Sequence, residues 1–142
     1  SMLIFPYLMI IDNNYLALPR FVNPIYPLAG IFLVALGTGM ILYCSSLFFF
    51  LGKGTPVPTA PPKYFVAKGL YKYTRNPIYL AYLSIFLGLF LIFGHLLLLV
   101  YCFLFAVFLH FFVVYLEEPQ LRKRFGEEYV KYTQKVPRWF LK

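Results

Sequence analysis

Acid is what this sequence has least of: Asp and Glu number five among 142 residues, against 13 Lys and Arg, and only 13% of the residues are charged. So few charges exclude a soluble domain, because 61% of the chain is hydrophobic, 22% is aromatic and the mean hydropathy is +0.73. A water-soluble domain of this size would expose too much of that surface, so the class is all-α integral membrane protein. Cysteine is scarce too. Cys44 and Cys102 lie in separate apolar runs, where a thiol behaves as a small buried hydrophobe, so neither a disulfide nor a metal site is expected. His95 and His110 stand at opposite ends of one apolar run and make no ligand cluster. G-x-S-x-G, the P-loop and the paired carboxylates of hydrolases are missing as well. The net charge of +8 sits in segments flanking apolar runs, not in a continuous array. That pattern suits membrane orientation and lipid-phosphate contacts, and argues against nucleic acid.

What is present is a series of apolar runs in a single membrane domain, 1–142. Ser1-Met2 reads as a cloning remnant ahead of a trimmed beginning. Residues 1–23 form an interfacial or truncated segment: the apolar run after Met2 has about half the length of a span, Pro6 interrupts it, and Asp12-Asn13-Asn14 ends it. Residues 28–51 are the first clear span, with small residues (Gly30, Gly37, Gly39, Ser45, Ser46) suited to close helix packing. Residues 52–76 are a polar return, in which Thr55–Pro62 (TPVPTAPP) is too proline-rich for helix and reads as a stiff strap. Residues 77–93 and 95–116 are two apolar helices separated by Gly94, a spacing that predicts an antiparallel hairpin. Cations cluster before the hairpin and after it but not at its turn, which predicts that residues 52–76 and the tail 117–142 share the cytoplasmic side. In that tail Leu121, Phe125, Tyr129 and Tyr132 recur at helical spacing and predict an amphipathic helix capping the bundle. Trp139 suits an interfacial anchor.

Two polar features demand more than a membrane boundary. Lys68–Tyr79 (KGLYKYTRNPIY) packs three cations and three tyrosines ahead of an apolar helix, with Arg75 and Asn76 at its mouth because Pro77 suits the first helical turn. Snorkelling cations and interfacial tyrosines are the bland reading of that window. Glu117-Glu118 then comes directly after an apolar helix, where acids are costly unless paired; Arg75, Arg122 or a cationic ligand are the candidate partners. Helix-end acids bridged to Arg122 and Lys123 are the alternative. His110 lies two α-helical turns before Glu117, on the same face, and would line one cavity with it, or else simply bond a neighbouring helix.

Together, G-x-Y-x-x-x-R-N-P-x-Y (Gly69 to Tyr79) and E-E-x-x-L-x-x-x-F-G-E-E-Y-x-x-Y-x-x-x-V-P-R (Glu117 to Arg138), with a hairpin between them, resemble the isoprenylcysteine carboxyl methyltransferase family and the related phospholipid N-methyltransferases. The likeness covers roughly residues 52–140, and Gly52–Pro62 is similar to bacterial members. The resemblance implies a membrane-embedded enzyme, in a bacterial inner membrane with its site facing the cytoplasm. It would pass a methyl group from S-adenosylmethionine to a hydrophobic, lipid-like acceptor. It also implies that Lys68, Gly69, Tyr71, Arg75, Asn76, Pro77 and Tyr79 form one wall of the cofactor site, and His110, Glu117, Glu118, Leu121, Phe125, Tyr129 and Tyr132 the other. Arg75, Glu118 and His110 would be the catalytic group. An isoprenylcysteine-type carboxylate is the favoured acceptor and a phospholipid amine the alternative, although Asn76 stands where the eukaryotic prenylcysteine enzymes have histidine. A small membrane scaffold without catalysis is the reading from a different class. The oligomeric state is left open.

Overall fold

A computed structural model describes residues 4–54 and 65–140. The strap expected at Thr55–Pro62 and the remnant at Ser1-Met2 lie outside those residues. All regular elements among the described residues are helical: α1 (Ile4–Tyr15), α2 (Tyr26–Phe50), a 3-10 turn (Gly69–Lys72), α3 (Pro77–Phe93), α4 (Leu96–Phe112), a π-helical segment (Val113–Glu117), α5 (Glu118–Phe125) and α6 (Glu127–Lys135). Tyr26–Gly52 and Leu96–Phe125 are long and apolar enough to cross a membrane, while Pro77–Phe93 is shorter. The most apolar windows of the two long helices are only 11% and 17% buried, which rules out core helices of a soluble fold. Leu28, Phe32 and Leu42 on α2 and Phe103, Leu104 and Phe108 on α4 are exposed, as side chains that face lipid must be.

The chain divides into two compact units, one made of the described residues up to Thr38 with Ala81–Leu109, the other of Gly39–Leu80 with the described residues from His110 onward. In the first unit α2 and α3 meet backbone to backbone. A Cβ built on Gly30 would lie 2.5 Å from the Gly88 carbonyl oxygen, and one on Gly88 would lie 2.6 Å from that of Gly30. Only glycine on both sides permits that approach, which exchanges side-chain bulk for dense contact where lipid offers helices no hydrophobic drive to associate. The Ser84 hydroxyl donates to the Leu33 carbonyl at 2.9 Å in the same seam. Helices α3 and α4 run antiparallel here, with the Phe86 ring 5.1 Å from both Tyr101 and Phe105. The helix at the start of the chain continues beyond Asp12, where its apolar run ends. Asn13 is buried and spends its side chain on long-range partners, accepting from the Leu97 N–H at 3.2 Å and lying 3.0 Å from His95 Nδ1.

In the second unit the core is aromatic. Tyr71, Tyr129 and Tyr132 are buried with Cys44, Val66 and Val136. The Phe65 ring lies 5.3 Å from Phe125, 5.9 Å from Tyr129 and 5.0 Å from Tyr132. Offset and edge-on aromatic pairs of this kind each add about 0.5–1.5 kcal/mol beyond burial itself. The tail is not one helix but two, because Gly126 takes a φ of +61° and ends α5. Leu121 and Phe125 before the break still pack on the same core as Tyr129 and Tyr132 after it.

Candidate active site

The candidate site is built in the second unit by stitching Thr74–Asn76 to the main-chain carbonyls of Pro137 and Arg138. The Arg75 N–H donates to the Pro137 carbonyl at 3.0 Å. Thr74 Oγ1 and Asn76 Nδ2 both donate to the Arg138 carbonyl, at 3.2 and 3.0 Å. Thr74 Oγ1 in turn accepts from the Asn76 N–H at 3.2 Å. Pro77 then opens α3 and is buried; it has no N–H to satisfy, so the helix can begin directly behind the clasp.

That clasp aims two guanidinium groups at one carboxylate. Arg75 Nη1 lies 3.1 Å from Glu118 Oε1. Arg138 Nε reaches the same oxygen at 2.7 Å and its Nη2 reaches Oε2 at 3.0 Å, a bidentate fork. The Arg75 and Glu118 side chains are 12% and 11% exposed, so the pair is largely removed from water. Bonding to Glu118 raises the Arg138 pKa, which fixes its charge. The neighbouring Glu117 accepts from the Tyr79 hydroxyl at 2.8 Å and, among the described residues, makes no ion pair. Arg75 Nε is buried and has no hydrogen-bond partner among the described residues.

The aromatic residues frame this cluster. Tyr132 donates its hydroxyl to the Tyr71 carbonyl at 2.6 Å. Burial, as the largest cause, raises the pKa of Tyr71, Tyr129 and Tyr132, so all three stay neutral phenols across the physiological range. Gly69 has a φ of +60°, and a Cβ there would overlap the Tyr43 hydroxyl, so this turn accepts no other residue without rearrangement. Lys68 is exposed beside it.

His110 does not meet Glu117. Five residues of π-helix, Val113–Glu117, intervene, and a π turn holds an extra residue that rotates the chain beyond it by roughly 100° from the α-helical register. The sequence spacing that puts the two on one face holds only for unbroken α-helix. His110 instead accepts from the Trp139 indole N–H through Nδ1 at 3.2 Å. Trp139 is thus an intramolecular partner as well as an aromatic residue near the end of the chain. Glu118 is bound by Arg75, one of its candidate partners from sequence, and by Arg138, which belongs to the second motif but is not among the residues that the resemblance assigns to the site. The signal for Arg138 is present in the sequence, since a valine-proline-arginine step after an amphipathic helix turns the chain back and delivers a cation. Thr74 carries no such signal.

Membrane-length helices and a largely buried cluster of two arginines on Glu118 define a membrane protein with a polar cluster in its second unit. A family model described as phospholipid methyltransferase matches residues 25–128, and the chain belongs to that family. It is therefore a membrane methyltransferase. The match takes in α2 and the Arg75, Glu117 and Glu118 positions and ends before Tyr129, Tyr132 and Arg138. No curated protein and no solved structure matches the chain.

Proposed function

We propose that this chain transfers a methyl group from S-adenosylmethionine to a lipid-like acceptor drawn from the bilayer, an isoprenylcysteine-type carboxylate by preference, at a site facing the cytoplasm of a bacterial inner membrane. The observation that carries the reading is Arg75 Nε, a buried donor without an acceptor among the described residues, in a chain of this family. Leaving such a donor unmet costs about 1–3 kcal/mol, and the carboxylate of an amino-acid cofactor would relieve it. The residues therefore fit the cofactor, which when bound supplies an electrophilic methyl group on a sulfonium.

Arg75 would hold the cofactor's carboxylate through Nε while Glu118, itself gripped by Arg138, fixes its guanidinium. Glu117, the neighbouring acid with no ion pair among the described residues, would hold the ammonium. Methyl transfer needs alignment and exclusion of water more than a strong base. A carboxylate acceptor arrives ionised, forms its O–CH3 bond with its own lone pair as the S–CH3 bond breaks, and releases no proton. An amine must first lose one. Each candidate base is otherwise engaged: Glu118 by two arginines, Glu117 by Tyr79 and, on this reading, the ammonium, and His110 Nδ1 by Trp139. This favours the carboxylate. The name of the matching family favours the second reading, a phospholipid amine.

Calorimetric titration in lipid nanodiscs tests the cofactor assignment. Wild type should bind S-adenosylmethionine and its demethylated product; Arg75→Lys and Glu117→Gln should each weaken both. A well-folded wild type that binds neither overturns the proposal. Tritiated methyl groups incorporated into membrane lipid then identify the acceptor, since a methyl ester releases methanol in alkali and an N-methyl group does not.

A further inference from the structure

Apart from the Arg75–Glu118 cluster, the second unit holds a cleft of about 770 Å³ lined by Lys68, Lys72, Lys131 and Lys135 over apolar residues that include Leu51 and Phe65. Two pieces of chain converge to make it. Lys68 and Lys72 bracket the 3-10 turn, and Lys131 and Lys135 stand one α-helical turn apart on α6. Against four ammonium groups the described lining residues include one acid, Glu128. Among the described residues none of the four lysines makes an ion pair. Like charges around one cleft repel one another, and an anion between them relieves that repulsion.

The surroundings narrow what that anion is. Leu51 belongs to the last turn of the membrane-length stretch Tyr26–Gly52, so the cleft opens where lipid headgroups lie. Phe65, Val66 and Val136 give it an apolar wall. Four mobile point charges with three donors each suit the oxygens of a phosphate, whichever way it is turned. A sulfonium cofactor, itself cationic, is repelled by the same set. We infer that this cleft binds the phosphate of an anionic phospholipid headgroup, whichever acceptor is methylated; Lys68 and Tyr132, which line it, then serve the lipid and not the cofactor wall that the resemblance assigns to them.

Native mass spectrometry of the full chain in detergent, with phosphatidylglycerol or phosphatidylcholine added, tests it. Wild type should retain phosphatidylglycerol in preference. K68Q/K72Q/K131Q/K135Q should lose that preference by about tenfold or more, given the attraction each lysine contributes near an anionic surface. All four side chains are exposed, so the variant should elute and unfold like wild type. K53Q/R122Q/K123Q/R124Q removes the same charge outside the cleft and should keep the preference. Inorganic phosphate separates the source: if it protects wild type but not the cleft variant from thermal unfolding while no lipid preference is seen, the cleft takes soluble phosphate and the lipid assignment is overturned. Equal losses in both quadruple variants, or no binding of either probe, overturn the inference.

Discussion

In the first unit Gly30 and Gly88 let two helix backbones touch, whereas in the second Arg75, Glu118 and Arg138 are held by charge-assisted hydrogen bonds among packed tyrosines. The contrast comes from the residues each unit has to work with. Leu and Phe gain little by leaving lipid for one another, so the apolar helices depend on close steric fit. Where the chain supplies arginines, acids and phenols, direction and charge do the holding, and the same groups are then available for chemistry. On the proposed function the second unit would carry the methyl-transfer site and the first would serve as scaffold.

The largest expected effect comes from breaking the polar unit at Glu118. Glu118→Gln leaves two guanidinium groups facing a neutral amide, one of them in a largely buried position. Removing one partner of a buried pair typically costs about 3–5 kcal/mol. Arg138 is 32% exposed at its side chain and water will screen part of its share, so the low end of that range is expected. Thermal unfolding in detergent should show a large fall in midpoint, and methyl transfer should be lost with it. An unchanged midpoint would show that the cluster does not hold the second unit together.

Next in size is a break in the apolar unit. Gly88→Leu forces a side chain into the Gly30 carbonyl and the Val34 side chain, which stand 2.6 and 2.8 Å from where its Cβ would lie. Overpacking of this kind costs about 1–3 kcal/mol. If the first unit is scaffold, the variant should unfold earlier and yet bind S-adenosylmethionine with near wild-type affinity while folded. A weakened affinity at unchanged stability would contradict the division of labour.

How far the sequence can be read differs between the same regions. The apolar runs 77–93 and 95–116 announce helices whose bounds differ by a few residues at most from α3 and from α4 with its π-helical continuation, because hydropathy over that length reflects a single cause, the bilayer. Arg75, Glu117 and Glu118 stand out for the opposite reason, as polar groups where polarity is expensive. The hidden features depend on backbone register. The π segment Val113–Glu117 has mostly ordinary apolar residues, so nothing in the spacing of His110 and Glu117 shows that they are turned apart. Gly126 looks like one residue of a continuous amphipathic pattern, and its positive φ splits that pattern into two helices.

The smallest effect expected is also the one that best sharpens the chemistry. Trp139→Phe keeps an aromatic ring near His110 but removes the indole N–H that occupies Nδ1. A neutral imidazole whose Nδ1 accepts carries its proton on Nε2, so it can donate at that nitrogen but has no second lone pair to take a proton. Releasing Nδ1 restores that capacity. The exposed hydrogen bond itself is worth about 0.5–1.5 kcal/mol at most, so stability should barely move. If the acceptor is a carboxylate, ionised without help, the rate of methyl transfer and its pH profile should be unchanged in Trp139→Phe. If it is an amine, a newly available base should raise the rate and change its pH profile. Comparing the pH profiles of wild type and Trp139→Phe therefore distinguishes the two acceptors by the proton that one of them must lose.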